Sequence, residues 1–104
     1  MWIYNLTAQV DLDLVEEWKG WLPKFVASEL PTDNFCQPPK LLWVRSQDTG
    51  EGQSFAIQLF FESARSLQLF LGQSDGKIEQ ASREKFQSKV LYFGSLLEEL
   101  DWNS

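Results

Sequence analysis

Residues 2–10 alternate with period two. Trp2, Tyr4, Leu6, Ala8 and Val10 are apolar; Asn5, Thr7 and Gln9 fall between them, and Ile3 is the exception. Successive side chains of a strand point to opposite faces, so this run predicts a β-strand with one buried face. Asp11-Leu12-Asp13 stops it. Asp13 and Glu16 then have capping-box spacing, and Glu16 and Glu17 suit the positive end of a helix dipole.

Leu14, Trp18, Trp21, Leu22 and Phe25 follow as a stripe with a period near 3.6, the pattern of a helix covering a sheet. Gly20 weakens that helix. Pro23 predicts a kink or a restart, because proline lacks the backbone donor and clashes with the preceding turn. Glu29 to Asn34 is a loop by composition. Leu41-Leu42-Trp43-Val44-Arg45 is a second strand after Pro38-Pro39, and Asp48-Thr49-Gly50-Glu51-Gly52 is a hairpin connection to a third strand, Ser54 to Phe61. Ser63 caps a helix carrying Leu67, Phe70 and Leu71, which Gln73 to Gly76 breaks. Lys77 to Phe86 is a further helical piece, and Val90-Leu91-Tyr92-Phe93 is a last short strand before the acidic run Leu96 to Trp102.

The order is β-α-β-β-α-β, the arrangement of an α+β, ferredoxin-like domain over residues 1–104, with a four-stranded antiparallel sheet and its helices on one face. The other face is then open. With Trp2, Tyr4, Leu6 and Val10 inward, Ile3, Asn5, Thr7 and Gln9 line that open face. Phe55, Ile57, Leu59 and Phe61 go inward on the third strand and leave Ala56, Gln58 and Phe60 outward. On the second strand, Leu41, Trp43 and Arg45 form the less apolar phase and are placed outward. A face carrying Trp and Phe is too apolar for plain solvent surface. It either pairs with a second copy or walls a small-molecule pocket, and both can hold at once. Asn5, Thr7, Trp43, Arg45 and Gln58 are the candidate ligand-binding residues, for a small apolar or mixed-polarity ligand. Ile3, Trp43, Ala56 and Phe60 are the candidate dimer interface.

Composition removes many chemistries. The chain holds 104 residues with no histidine and a single cysteine, and it carries a formal charge of −6. Histidine triads, imidazole bases, Cys-cluster metal sites and internal disulfides are therefore excluded. The acidic balance opposes nucleic acid. No run approaches the ~18 apolar residues of a membrane span, and the first residues lack the basic start of a signal peptide, so a cytoplasmic protein is expected. Asp11, Asp13, Glu16 and Glu17 read as a strand end and helix start rather than a cation site. Cys36, with Lys40 close in sequence but no histidine to serve as its base, reads as a free thiol. No residue set calls for a cofactor.

Several segments resemble a family. Ile3-Tyr4-Asn5-Leu6-Thr7, Glu17-Trp18 with Trp21-Leu22-Pro23, Ala56-Ile57-Gln58-Leu59-Phe60 and Phe93-Gly94-Ser95-Leu96-Leu97-Glu98 are similar to a domain-of-unknown-function family of short bacterial proteins opening Met-x-Ile-Tyr-Asn-x-Thr. The resemblance implies a ferredoxin-like fold of the dimeric α/β-barrel group, in which two sheets pack face to face. It implies no reaction. Where that family often reads His-Ile-Pro this chain has Trp21-Leu22-Pro23, and Gly94-Ser95-Leu96 replaces an Arg-Thr-Leu; both departures weaken an enzymatic reading. The expectation is a homodimeric, non-catalytic assembly or small-ligand-binding module. The alternative is a cofactor-independent monooxygenase-like or isomerase-like enzyme, which rests on fold analogy.

Overall fold

The computed structural model describes residues 1–45 and 52–103. The hairpin connection expected at Asp48 to Gly52 lies outside the described residues, apart from Gly52 itself. Strand β1 (Trp2–Asp11) leads through a short 3-10 turn into helix α1 (Val15–Glu29). Strands β2 (Gln37–Trp43) and β3 (Gly52–Phe61) follow, then helices α2 (Ala64–Ser74) and α3 (Lys77–Phe86), and strand β4 (Val90–Glu98). The sheet order is β2-β3-β1-β4 and every pairing is antiparallel. This is the ferredoxin-like α+β arrangement expected from the element order.

The alternation of β1 is realised as predicted. Tyr4, Leu6, Ala8 and Val10 are buried toward the helices, beside Phe55, Ile57, Leu59 and Phe61 of β3. The helices return the complement: Trp18, Leu22 and Val26 of α1, Leu67 and Phe70 of α2, and Ile78 and Phe86 of α3. Trp18 is fully buried, and its Nε1 donates to the Tyr92 hydroxyl at 3.0 Å, which pins α1 to β4. Burying an indole N–H without such an acceptor would cost about 1–3 kcal/mol. Trp21 packs edge-on against Phe86 and stacks on Phe25. Phe35, from the loop after α1, joins Phe61 and Phe70 in a second aromatic group.

Three local expectations are corrected. The capping box at Asp13 and Glu16 does not form: α1 begins after Leu14 with no side-chain cap, Asp13 pairs with Lys89 and Glu16 with Lys19. The reciprocal cap lies at Ser63 and Ser66 instead. Pro23 neither ends nor restarts α1, which continues through it; its ring is exposed, so the missing backbone bond falls on the solvent side. Strand β2 begins at Gln37 and takes in Pro38 and Pro39. An edge strand tolerates proline, and the register slips there by one residue, as a bulge requires.

The break between α2 and α3 is set at Gly76, whose φ of +79° is readily accessible only to glycine. Strand β4 runs five residues beyond the expected Phe93. Gly94 permits this continuation to pass beneath Tyr4: a Cβ there would sit 3.1 Å from the Tyr4 hydroxyl oxygen and 3.3 Å from its ring. Among the described residues no helix is long and apolar enough to cross a membrane.

Candidate functional site

The strand registers arrange the open face in rows. Asn5 of β1 lies opposite Gln58 of β3 and Ser95 of β4, and Lys40 of β2 lies opposite Gln58. A polar row, Lys40–Gln58–Asn5–Ser95, thus crosses the sheet. On one side runs Leu42–Ala56–Thr7–Phe93, and on the other Gln37–Phe60–Ile3–Leu97. The face is a polar stripe between two largely apolar ones.

At the centre of the stripe the side chains bond to one another and to Thr7 of the next row. Gln58 Nε2 donates to Asn5 Oδ1 at 3.1 Å, and Asn5 Nδ2 donates to Thr7 Oγ1 at 3.3 Å. All three residues are half-buried. Phe60 and Ala56 are buried within the single chain although they face outward, and the Lys40 ammonium lies 5.6 Å from the Phe60 ring centroid. The exposed apolar surface is concentrated on the two edge strands. Leu42 is 44% exposed, Leu91 53%, Phe93 68% and Leu97 41%.

Asn5, Thr7 and Gln58 are therefore brought together, and Ile3, Ala56 and Phe60 share their face. Trp43 and Arg45 do not. Trp43 pairs with Phe55, an inward residue, so it stands on the helix side of the sheet edge, with ring centroids 6.2 Å apart. Arg45 stacks over the Trp43 ring at 3.9 Å. The order Arg45–Trp43–Phe55–Trp18 runs from solvent into the core. The second strand's phase is the reverse of that expected, and Lys40 and Leu42 take the outward places.

A second concavity lies on the helix side, where α1 leaves the β2 edge uncovered. It is a groove of about 460 Å³ lined by Leu22, Pro23 and Val26 of α1, Phe35 and Cys36 of the loop, and Leu41 of β2, with Ile57 at its base. Cys36 is a free, exposed thiol in contact with the Met1 sulfur at 3.7 Å.

Two tyrosines lie on the helix-facing side beside α3. Burial, with the Glu79 and Asp75 charges adding to it, pushes the Tyr4 hydroxyl up to about 12. Burial also raises Tyr92, while the Ser82 and Trp18 side chains beside its hydroxyl pull it partly back and Glu79 raises it further. Both stay protonated near neutrality, so neither supplies a base there. Among the described residues no cluster of three or more acids or thiols has a metal-binding arrangement.

The family model described as Domain of unknown function (DUF4286) matches residues 1–100. The chain belongs to that family. No curated protein matches it. In this DUF4286 chain the residues that sequence reasoning missed are Leu42, Leu91, Phe93, Leu97 and Lys40. For β4 a signal existed, since Leu91, Phe93, Ser95 and Leu97 continue a period of two past Gly94. For β2 it did not: Leu41-Leu42-Trp43-Val44 is apolar in both phases.

Proposed function

We propose that this DUF4286 chain is a non-catalytic homodimeric module of the cytoplasm that pairs through its open sheet face. The observation that carries this reading is the exposed apolar flanks around a polar row whose centre is already hydrogen-bonded. Leu42, Leu91, Phe93 and Leu97 together leave on the order of 400 Å² of apolar side chain in water. A standard interface covers about 800 Å² per partner, of which about 500 Å² is apolar in homodimers. The face thus holds most of the apolar area that one half of such an interface needs. Monomers expose patches of this size mainly where something binds.

The polar row supports assembly over ligand capture. Because Asn5, Thr7 and Gln58 already bond to one another, covering them strands fewer donors and acceptors than covering three unpaired side chains would. Two such faces packed together bring two polar stripes together between apolar flanks, and the remaining polar groups of each stripe fix which orientation is permitted. Light scattering across 1–100 µM (about the range of ordinary homodimer affinities) tests the pairing. One chain weighs 12.1 kDa, so the dimer weighs 2 × 12.1 = 24.2 kDa. A mass that approaches the dimer value supports the reading; a mass of one chain throughout defeats it.

A further inference from the structure

Beyond β4 the chain carries two large apolar side chains into water: Leu100 is 72% exposed and Trp102 97%. Tryptophan is the side chain most enriched among interface anchors, and a bare one at a strand's end calls for a pocket. The groove between α1 and β2 is such a pocket, walled by apolar residues of both elements. We infer that the segment after β4, residues 99–103, docks Leu100 and Trp102 into this groove on the partner copy. The inference rests on the open-face dimer proposed above.

Topology brings the two together. Strands β1 and β2 both run antiparallel to β3 and so share a direction, while β4 opposes β1. The C-terminal end of β4 therefore lies at the same end of the sheet as Gln37, the start of β2. The groove opens there, at Phe35 to Pro39. When two sheets stack about a two-fold axis parallel to the strands, β4 of one copy lies over β2 of the other with these ends still together. Charge selects this arrangement. Strand β2 and the two residues after it carry Lys40 and Arg45 and no acid, whereas residues 91–104 carry Glu98, Glu99 and Asp101 and no base. An axis across the strands would instead lay β4 over the partner's β4 and β2 over its β2, setting like-charged strands together.

Reach is sufficient. Packed sheets lie about 10 Å apart, and five extended residues span up to about 17 Å, enough to pass the β2 edge and enter the groove. In its own chain the segment is tied toward β1, where the Glu99 N–H donates to the Met1 carbonyl at 2.8 Å, and its apolar side chains remain exposed.

Cys36 lines the groove and is the chain's only cysteine, which gives a direct test. Asn103→Cys places a thiol next to the intact Trp102 anchor. The full chain is incubated in oxidised glutathione, which accepts the two electrons released as each protein disulfide forms. Products are resolved without reductant and mapped by mass spectrometry, with Cys36→Ser/Asn103→Cys as control. The expected product is a covalent dimer whose bridges join Cys36 of one copy to the introduced sulfur of the other, lost in the control. An intrachain bridge, or a bridge between two introduced sulfurs, overturns the assignment. Absence of any bridge while light scattering still reports a dimer overturns the docking and leaves the open-face dimer standing. A single-chain mass overturns both. Trp102→Asp is a second readout: it should weaken the dimer at least tenfold with an unchanged melting temperature of the isolated chain, and an unchanged dissociation constant contradicts the docking.

Discussion

Phe93→Ser is the sharpest perturbation of the proposed interface. Phe93 is 68% exposed in the single chain and ends the row Leu42–Ala56–Thr7–Phe93. A phenylalanine side chain offers about 200 Å², so about 140 Å² is left to be covered. At about 25 cal/mol per Å², covering it contributes about 3 kcal/mol per copy as an upper figure. Two copies meet in the dimer, and serine retains a small part, so the loss is about 4–6 kcal/mol per dimer. That raises the dissociation constant by roughly three to four orders of magnitude. The isolated chain should hardly notice, because exposed substitutions stay within about 0.5 kcal/mol. Sedimentation equilibrium measures the dissociation constant, and urea unfolding of the dissociated chain measures stability. Leu69→Ser, half exposed on α2 away from the open face, is the matched control. A Phe93→Ser dimer as tight as the parent would refute the reasoning, as would equal weakening by Leu69→Ser.

Other substitutions test the frame that presents this face. Tyr92→Phe removes the acceptor of the fully buried Trp18 N–H; a loss of about 1–2 kcal/mol and a fall in Tm of roughly 5–10 °C are expected by thermal melting, and an unchanged Tm would mean the bond is not made. Gly94→Ala forces the Tyr4 ring aside, costing about 1 kcal/mol in urea titration; the cost should vanish in a Tyr4→Leu background, and persistence there would assign it elsewhere. Tyr4 titrates at about 12 in the folded chain against about 10 unfolded. The folded state holds this proton more tightly, so its contribution is complete below pH ~10 and is lost as pH rises toward 12. Urea midpoints between pH 8 and 11.5 should therefore fall more steeply in the parent than in Tyr4→Phe, and parallel profiles would contradict the burial of that hydroxyl.

The sheet was legible where one face is buried and the other is not. In β1 and β3 the alternation stated both the strand and its direction of facing, because a one-residue slip would have sent Leu6 or Ile57 into water. The helices were equally plain from Trp18 and Leu22, or from Leu67 and Phe70. The edges were less so. Strand β2 is apolar in both phases because neither face is fully polar: Leu41 lines the groove, Trp43 packs on Phe55, Leu42 joins the open face, and only register against β3 decides between them. Pro38 and Pro39 read as loop because proline removes ladder donors, a loss that matters little at an edge. Asp13 looked like a cap from spacing alone, yet a 3-10 turn carries the chain into α1 and Lys89 takes the carboxylate. Of the candidate site, Asn5, Thr7 and Gln58 followed from strand phase, whereas Trp43 and Arg45 inherited the wrong phase of β2.

Isotope-filtered NMR on dimers mixed from labelled and unlabelled chains tests the open-face interface most directly. Contacts between copies should join Phe93 and Leu97 of β4 to Leu42 and Gln37 of β2, all on the open face. Contacts between copies that instead arise from Leu12 and Leu69, outside that face, or no contacts between copies at all, would contradict the account.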